Sequence, residues 1–178
     1  MSVESLDPRE LASISDELNK MFETDQKARE NNNEETTKKI DQENTQKLKE
    51  IITSIGWPTE SKVGEDPAHY AWLLVHHADQ DIEFQKNCLR LMKAESPEEV
   101  QQEDIAYLED RILVAENKPQ LYGSQWKITE DGSHIPEEIF EPDKLDERRA
   151  KMGMKPFAEY VEDMKKAYET WKINKKIN

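Results

Sequence analysis

Leu11-Ala12-Ser13-Ile14-Ser15-Asp16-Glu17-Leu18-Asn19-Lys20-Met21-Phe22-Glu23-Thr24-Asp25-Gln26-Lys27-Ala28-Arg29 is the stretch on which the fold turns. Leu11, Ile14, Leu18 and Met21 recur at the three- and four-residue spacing that puts side chains on one helix face. The same face runs on through Asp25 and Arg29. A second stripe, Leu48, Ile51, Ile52 and Ile55, runs back along the chain through Asn44 and Asp41. Burying a lone charge costs on the order of several kcal/mol or shifts its pKa, so a core-facing stripe that turns charged demands a reason. The reason is a solvated helix end, a buried ion-pair network, or the wall of a polar site.

The caps place both stripes on helices. Asp7-Pro8 with Glu10 reads as an N-cap, a proline at the first helical position and an acid in the first turn. The spacing predicts a helix to about Glu30, broken by Asn31-Asn32-Asn33, then a second from about Glu34 to Ser54 that ends at Gly56 with Pro58 beyond. A short connection makes the two helices antiparallel neighbours, so Asp25, Arg29, Asp41 and Asn44 meet at one end of the hairpin.

Further along, residues 56–64 read as a loop around Trp57. A third, nearly all-apolar helix begins at Asp66-Pro67 and carries Ala68, Ala71, Trp72, Leu74, Val75 and Ala78. Asp79-Gln80-Asp81 interrupts it before a helix with Phe84, Cys88, Leu91 and Met92. Ser96-Pro97-Glu98-Glu99 reads as the cap that opens a helix with Ile105, Leu108, Ile112 and Leu113, ended by Pro119. An extended segment over 121–128 and a turn at Asp131-Gly132 predict a small hairpin or extended element near 121–136. A short charged helix from Pro142 to about Met152 follows. The last helix, from about Pro156 to Lys172, has the stripe Phe157, Tyr160, Val161, Met164, Tyr168 and Trp171, and the basic tail beyond it is expected to fray. The reading is a mainly α, bundle-like single domain over residues 1–178.

Composition narrows the function classes. The chain has 178 residues, 36% of them charged and 35% hydrophobic, with 25 Lys+Arg against 39 Asp+Glu and a net charge of −14. Such a surface repels phosphate backbones and anionic lipid, so neither nucleic acid nor a membrane is an expected partner. A protein partner docking on the acidic surface stays open, although acidity more often serves solubility alone. The single cysteine, Cys88, excludes an intrachain disulfide and fits a reducing compartment. No apolar run approaches the ~20 residues of a membrane span. The start, Met1-Ser2-Val3-Glu4-Ser5, lacks a signal peptide's basic and apolar regions, so the expected location is cytoplasmic.

Chemistry centres on His76-His77, which sit at the end of the apolar helix with Asp79 and Asp81 nearby. A histidine there serves as a general base or a ligand-orienting donor. The plainer reading is a helix C-terminal histidine favoured by the macrodipole. His-His-x-Asp lacks the i, i+4 spacing of helical metal ligands, so no metal set is expected. Arg111, beside Asp110, shares a face with Leu108 and is read as clamping a carboxylate, internal (Asp25 or Asp41) or on a ligand. Gln120-Leu121-Tyr122-Gly123-Ser124-Gln125 offers amides and hydroxyls that line a pocket or form a structured turn. Ser124 is in no Gly-x-Ser-x-Gly elbow, which argues against a serine hydrolase.

Taken in order, several segments resemble a family of bacterial proteins known only as a domain of unknown function. They are Asp25-Gln26-x-x-Arg29, Asp41-x-x-Asn44, Gly56-Trp57-Pro58 with Val63-Gly64, His76-His77-Ala78-Asp79, Phe84-Gln85, Ala106-Tyr107-Leu108-x-Asp110-Arg111 and Gln120-x-Tyr122-Gly123-Ser124-Gln125. The likeness covers roughly residues 20–155 and rests on the order and number of the segments. Threonine is usual in the family where Ser124 stands. The resemblance implies a common fold and carries no activity or cofactor.

The resulting expectation is a polar interhelical pocket. His77, His76 and Asp25 would be its catalytic groups, and Gln26, Arg29, Asp41, Asn44, Asp110, Arg111, Tyr122 and Gln125 would bind a small polar or anionic molecule, with hydrolysis or transfer by His/carboxylate acid–base chemistry. The competing expectation is a non-catalytic acidic interaction module of the immunity or toxin-neutralising kind. The sequence leaves open whether the protein is an enzyme.

Overall fold

Why these residues form helices is visible at their ends. In a computed structural model of the protein, which describes residues 7–31 and 33–177, the Asp7 carboxylate accepts the Arg9 N–H at 2.9 Å and caps α1 (Pro8–Glu30). The Asn33 side chain accepts the Thr36 N–H at 2.9 Å and caps α2 (Glu34–Ile55). Gly56 ends α2 with φ of 72°, a backbone conformation that disfavours side chains. Lys62 adds to this end by donating to the carbonyls of Ile55 and Trp57. Asn32 of the expected break lies outside the described residues.

The described residues hold eight α-helices, one 3-10 turn and one two-stranded antiparallel sheet, a mainly α protein. They divide into two units, residues 1–105 and 106–178. In the first unit, α1 and α2 pack on each other and on α4 (Glu65–His76). The apolar stripes are the core: Ile14, Leu18, Met21, Leu48, Ile51, Ile52 and Ile55 are buried with Ala71, Leu74 and Val75 of α4. Each of the larger side chains among them, Leu, Ile, Val and Met, contributes roughly 1.5–3 kcal/mol. Trp57 is buried as the anchor of the loop after α2.

Two details of this unit depart from the sequence reading. The loop over 56–64 contains a one-turn helix, α3 (Glu60–Val63), closed by bonds from Val63 N to Thr59 O and from Gly64 N to Glu60 O. A single turn between two glycines is too short for periodicity to reveal. Ser96-Pro97-Glu98-Glu99 opens no helix, and α6 begins only at Gln102 (Gln102–Ala115). Its capping groups are spent elsewhere: the Ser96 hydroxyl donates to Glu98 at 2.6 Å, and the Glu99 carboxylate accepts the Ser61 N–H at 3.0 Å. Asp81 caps α5 (Ile82–Ala94) through the Phe84 N–H at 3.0 Å, so the interruption after α4 stands where Asp79-Gln80-Asp81 places it. Cys88 is buried in the core, and burial pushes its thiol up to about 12, which makes it inert.

In the second unit, strands β1 (Trp126–Ile128) and β2 (His134–Pro136) pair with Trp126 opposite Pro136. A 3-10 turn (Pro142–Lys144) leads into α7 (Leu145–Lys151), and α8 (Phe157–Ile177) closes the chain. The backbone of α8 stays helical through the basic tail where fraying was expected. The Trp171 side chain of its predicted stripe lies outside the described residues; Phe157, Tyr160, Val161, Met164 and Tyr168 are half-buried. No helix of the described residues is long and apolar enough to cross a membrane.

Candidate functional site

The two polar stripe ends and the end of α4 converge on one carboxylate. Asp25, on the buried face of α1, is 1% exposed. Its Oδ1 accepts His77 Nδ1 at 3.0 Å and Arg29 Nη2 at 3.0 Å, and its Oδ2 accepts Gln26 Nε2 at 2.9 Å and Arg29 Nε at 3.2 Å. Four donors saturate the carboxylate. The fork of Arg29 reaches on across the helix hairpin, and Nη2 donates to Asp41 Oδ1 of α2 at 2.6 Å. Asp25, Gln26, Arg29, Asp41 and His77 of the expected pocket are therefore brought together. The charged ends of the stripes form a half-buried ion-pair network, and the arginine that joins Asp25 and Asp41 is Arg29.

The two carboxyls are pushed apart in acidity. Burial pushes Asp25 up, but the bonds from His77 and Arg29 outweigh it and hold the group below its ordinary value. Burial also pushes Asp41 up, and there the attraction of Arg29 and His77 does not overcome it, so Asp41 stands above its ordinary value, with Asp25 and Asp79 adding repulsion.

His77 is the C-cap residue of α4, and its N–H bonds to Leu73 O. It thus satisfies the plain helix-end reading and also faces a carboxylate. His76 packs its ring between those of Trp72, at 5.4 Å, and His77, at 6.2 Å, so the two histidines diverge as neighbours on a helix must. Asn44 does not join the network. It is buried, and its amide nitrogen meets no acceptor among the described residues.

Asp25, Asp41 and His77 each offer one ligand atom, all within 4.8 Å of one another, a donor set compatible with a divalent cation. Arg29 already brings positive charge to both carboxylates, and Asp25 has no lone pair to spare. A cation would have to displace the guanidinium. The set comes from three helices, so no local spacing in the sequence could have exposed it.

The remaining expected residues make a second cluster, within residues 106–178. Asp110 of α6 is fully buried and accepts the backbone N–H groups of Leu121 at 2.7 Å, Tyr122 at 3.0 Å and Ser124 at 3.0 Å, and the Ser124 hydroxyl at 2.9 Å. Burial still leaves its carboxyl above the ordinary value. Gln120 donates to the carbonyls of Gln125 and Glu137 and accepts the Gln125 N–H at 2.8 Å. Arg111 donates to Gln125 Oε1 at 3.3 Å, and the Tyr122 hydroxyl, pushed up to about 12 by burial and Glu109, donates to Glu109. The segment's polar groups are spent on one another, which makes it a structured turn. Gly123 is required there: φ is 71°, and a Cβ would come within 2.6 Å of the Phe157 ring.

Sequence reasoning missed several buried polar groups, Gln85 and Arg149 among them. Gln85, within a segment quoted for the family likeness, is fully buried and donates to the carbonyls of Val75 and His76, capping α4 beneath His77. Its signal was an amide between Phe84 and Cys88 on an apolar face. Arg149 is 1% exposed, donates to the carbonyls of Lys155 and Tyr122, and stacks on Tyr160 at 4.8 Å. Nothing in a run of charges at 146–149 marked one arginine as internal.

These residues carry a family pattern, described as a family of unknown function (DUF6624), that matches residues 13–173. The chain belongs to this family. No curated protein matches the chain. No solved structure matches it either. The match includes both clusters, whose residues the polar stripes and motifs had already marked apart from the resemblance.

Proposed function

We propose that the protein binds a small polar or anionic molecule at the Asp25–Arg29–Asp41–His77 network and acts on it by proton transfer, as in hydrolysis. One observation carries the reading. Asp25 is saturated with donors, whereas Nε2 of His77 and the second oxygen of Asp41 meet no hydrogen-bond partner among the described residues. Asp25 is then a positioning residue that fixes the imidazole through Nδ1 and leaves Nε2 to face a reactant. His77 takes a proton from an attacking water at Nε2. His77 then returns that proton to the leaving group, and Asp41, ion-paired with Arg29, holds the water through its second oxygen. Arg29, one-third exposed, keeps Nη1 for an anionic group of the substrate.

The test is a panel of small esters, amides and phosphomonoesters assayed with wild type, His77→Gln and Asp41→Asn. The expected result is turnover of at least one class, with each variant lowering kcat/KM by roughly 10²–10⁴-fold while remaining folded. Unchanged turnover in His77→Gln, or neither binding nor turnover across the panel, overturns the reading.

A further inference from the structure

Three atoms of the Asp25–Arg29–Asp41–His77 network are unspent, and they define what it can hold. Arg29 Nη1 is a donor, the second oxygen of Asp41 is an acceptor, and His77 Nε2 can act as either. None of the three makes a hydrogen bond among the described residues, and none is sealed from water. Asp25 is 1% exposed, whereas the side chains of Asp41, His77 and Arg29 keep 13%, 16% and 33% of their surface. The charge around these atoms is negative. Two carboxylates share one guanidinium, and no lysine pairs with either of them among the described residues. Asp79 adds a third negative charge that acts on Asp41. The backbone contributes the same sign. His77 is the C-cap of α4 and Arg29 lies in the last turn of α1, so two helices bring their partially negative C-terminal ends to the site. The opposing end of α2 is offset: Asp41 lies about two turns into that helix, and Glu34 and Glu35 occupy its first turn. Sites for a standing phosphate are built the other way, with helix N-termini, several cations or a metal ion set against its oxygens.

We infer that the network takes an uncharged carbonyl compound, a carboxylic ester or amide, and turns away phosphate and carboxylate groups. The carbonyl oxygen accepts from Arg29 Nη1. Selection of this ligand stands on the charges and open atoms alone; its hydrolysis rests on the proton-transfer reading of His77. In that step the water held by Asp41 forms a bond from its oxygen to the carbonyl carbon and gives a proton to His77 Nε2. The C=O π pair moves onto oxygen, and the charge that develops there lies against Nη1, which makes this oxyanion the anionic group that Arg29 meets. When the C=O re-forms, the bond to the leaving group breaks, and the leaving group takes the proton from His77. The products are a carboxylic acid and an alcohol or amine. At neutral pH the acid ionises, and Asp25 and Asp41 repel it from the site. One guanidinium shared by two carboxylates suits an oxyanion that exists only during the step, not a dianion that must be held beforehand.

The binding probes are acetamide and inorganic phosphate, titrated at matched pH and ionic strength into the full-length protein. The signal is the His77 imidazole resonance, assigned by its loss in His77→Gln. The expected result is a saturable shift with acetamide and binding of phosphate at least about ten-fold weaker. Asp41→Asn removes one of the repelling charges and should narrow that ratio by at least about three-fold. Turnover is read as the difference between wild type and His77→Gln on para-nitrophenyl acetate and on para-nitrophenyl phosphate, and only the carboxylic ester should show one. Phosphate binding equal to or tighter than acetamide, a His77 resonance unmoved by acetamide, or an unchanged ratio in Asp41→Asn overturns the inference. Acetamide bound without His77-dependent turnover of any substrate rejects proton transfer alone. His77-dependent turnover of the phosphate ester rejects the carbonyl class alone.

Discussion

Asp25→Asn is the substitution that most directly measures the network. Both Asp25 oxygens accept two donors each, so either orientation of the new amide turns an NH₂ group towards N–H donors. The less costly orientation keeps an oxygen towards His77 Nδ1 and Arg29 Nη2. It turns the NH₂ towards Gln26, whose own amide can flip to accept, and leaves Arg29 Nε without its acceptor. One charge-assisted hydrogen bond is then lost, worth about 1.5–3 kcal/mol, while removing a buried charge returns part of that. The expected cost is about 1–3 kcal/mol at neutral pH, a fall in Tm of roughly 2–10 °C for a chain of this length. The sign with pH follows from the lowered acidity of Asp25. Its contribution is present above the ordinary carboxylate value of 3.8 and is lost as pH falls through the lower folded value. The difference between wild type and Asp25→Asn in urea unfolding should therefore be full at pH 7 and shrink only below about pH 4. Equal stability at pH 7, or a difference that grows on acidification, refutes the saturated-carboxylate geometry. His77→Gln, which removes only one bond from a half-buried side chain, should stay within about 1 kcal/mol of wild type.

Other outcomes follow from the same contacts. Asp110→Asn cannot satisfy the Leu121 and Ser124 N–H groups at once and should destabilise by about 1–3 kcal/mol, measured by chemical denaturation; a neutral effect would contradict the nest around Asp110. His69 accepts or donates at 3.2 Å to the buried Asp104, and that bond raises its pKa, so the pair's contribution is full below the ordinary histidine value of 6.5 and fades as pH rises through the raised one. His69→Ala should flatten the pH dependence of Tm in that window, and an unaltered slope there would rule the pair out as its source. With Arg29 filling the space between the carboxylates, EDTA should leave Tm unchanged; a chelator-sensitive Tm restored by a divalent ion would instead make Asp25, Asp41 and His77 metal ligands.

Much of the fold was legible because the helices announce their ends. Asp7, Asn33 and Asp81 cap three of them through side-chain bonds, and Gly56 stops the second where expected. The failures have local causes. Ser96 and Glu99 have the chemistry of a cap and use it on a turn and on Ser61, a contact distant in sequence. The site was legible in its members and less so in its grouping. Asp25, Arg29, Asp41 and His77 do meet, whereas Asp110, Arg111, Tyr122 and Gln125 turn to one another and to backbone amides. Asn44, expected to join the network, is left with an unanswered donor.

The sequence by itself determined that α1 and α2 lie antiparallel and that their inward faces turn from apolar to charged at the same end, since periodicity, caps and a short connection depend only on neighbouring residues. Tertiary structure alone decided what those charges do. Whether Asp25 is a free base or a saturated anchor depends on where the fork of Arg29 and the imidazole of His77 arrive, 52 residues apart in the case of His77 and Asp25. The acidity of each carboxyl then follows from burial and hydrogen bonding, which act through space and not along the chain.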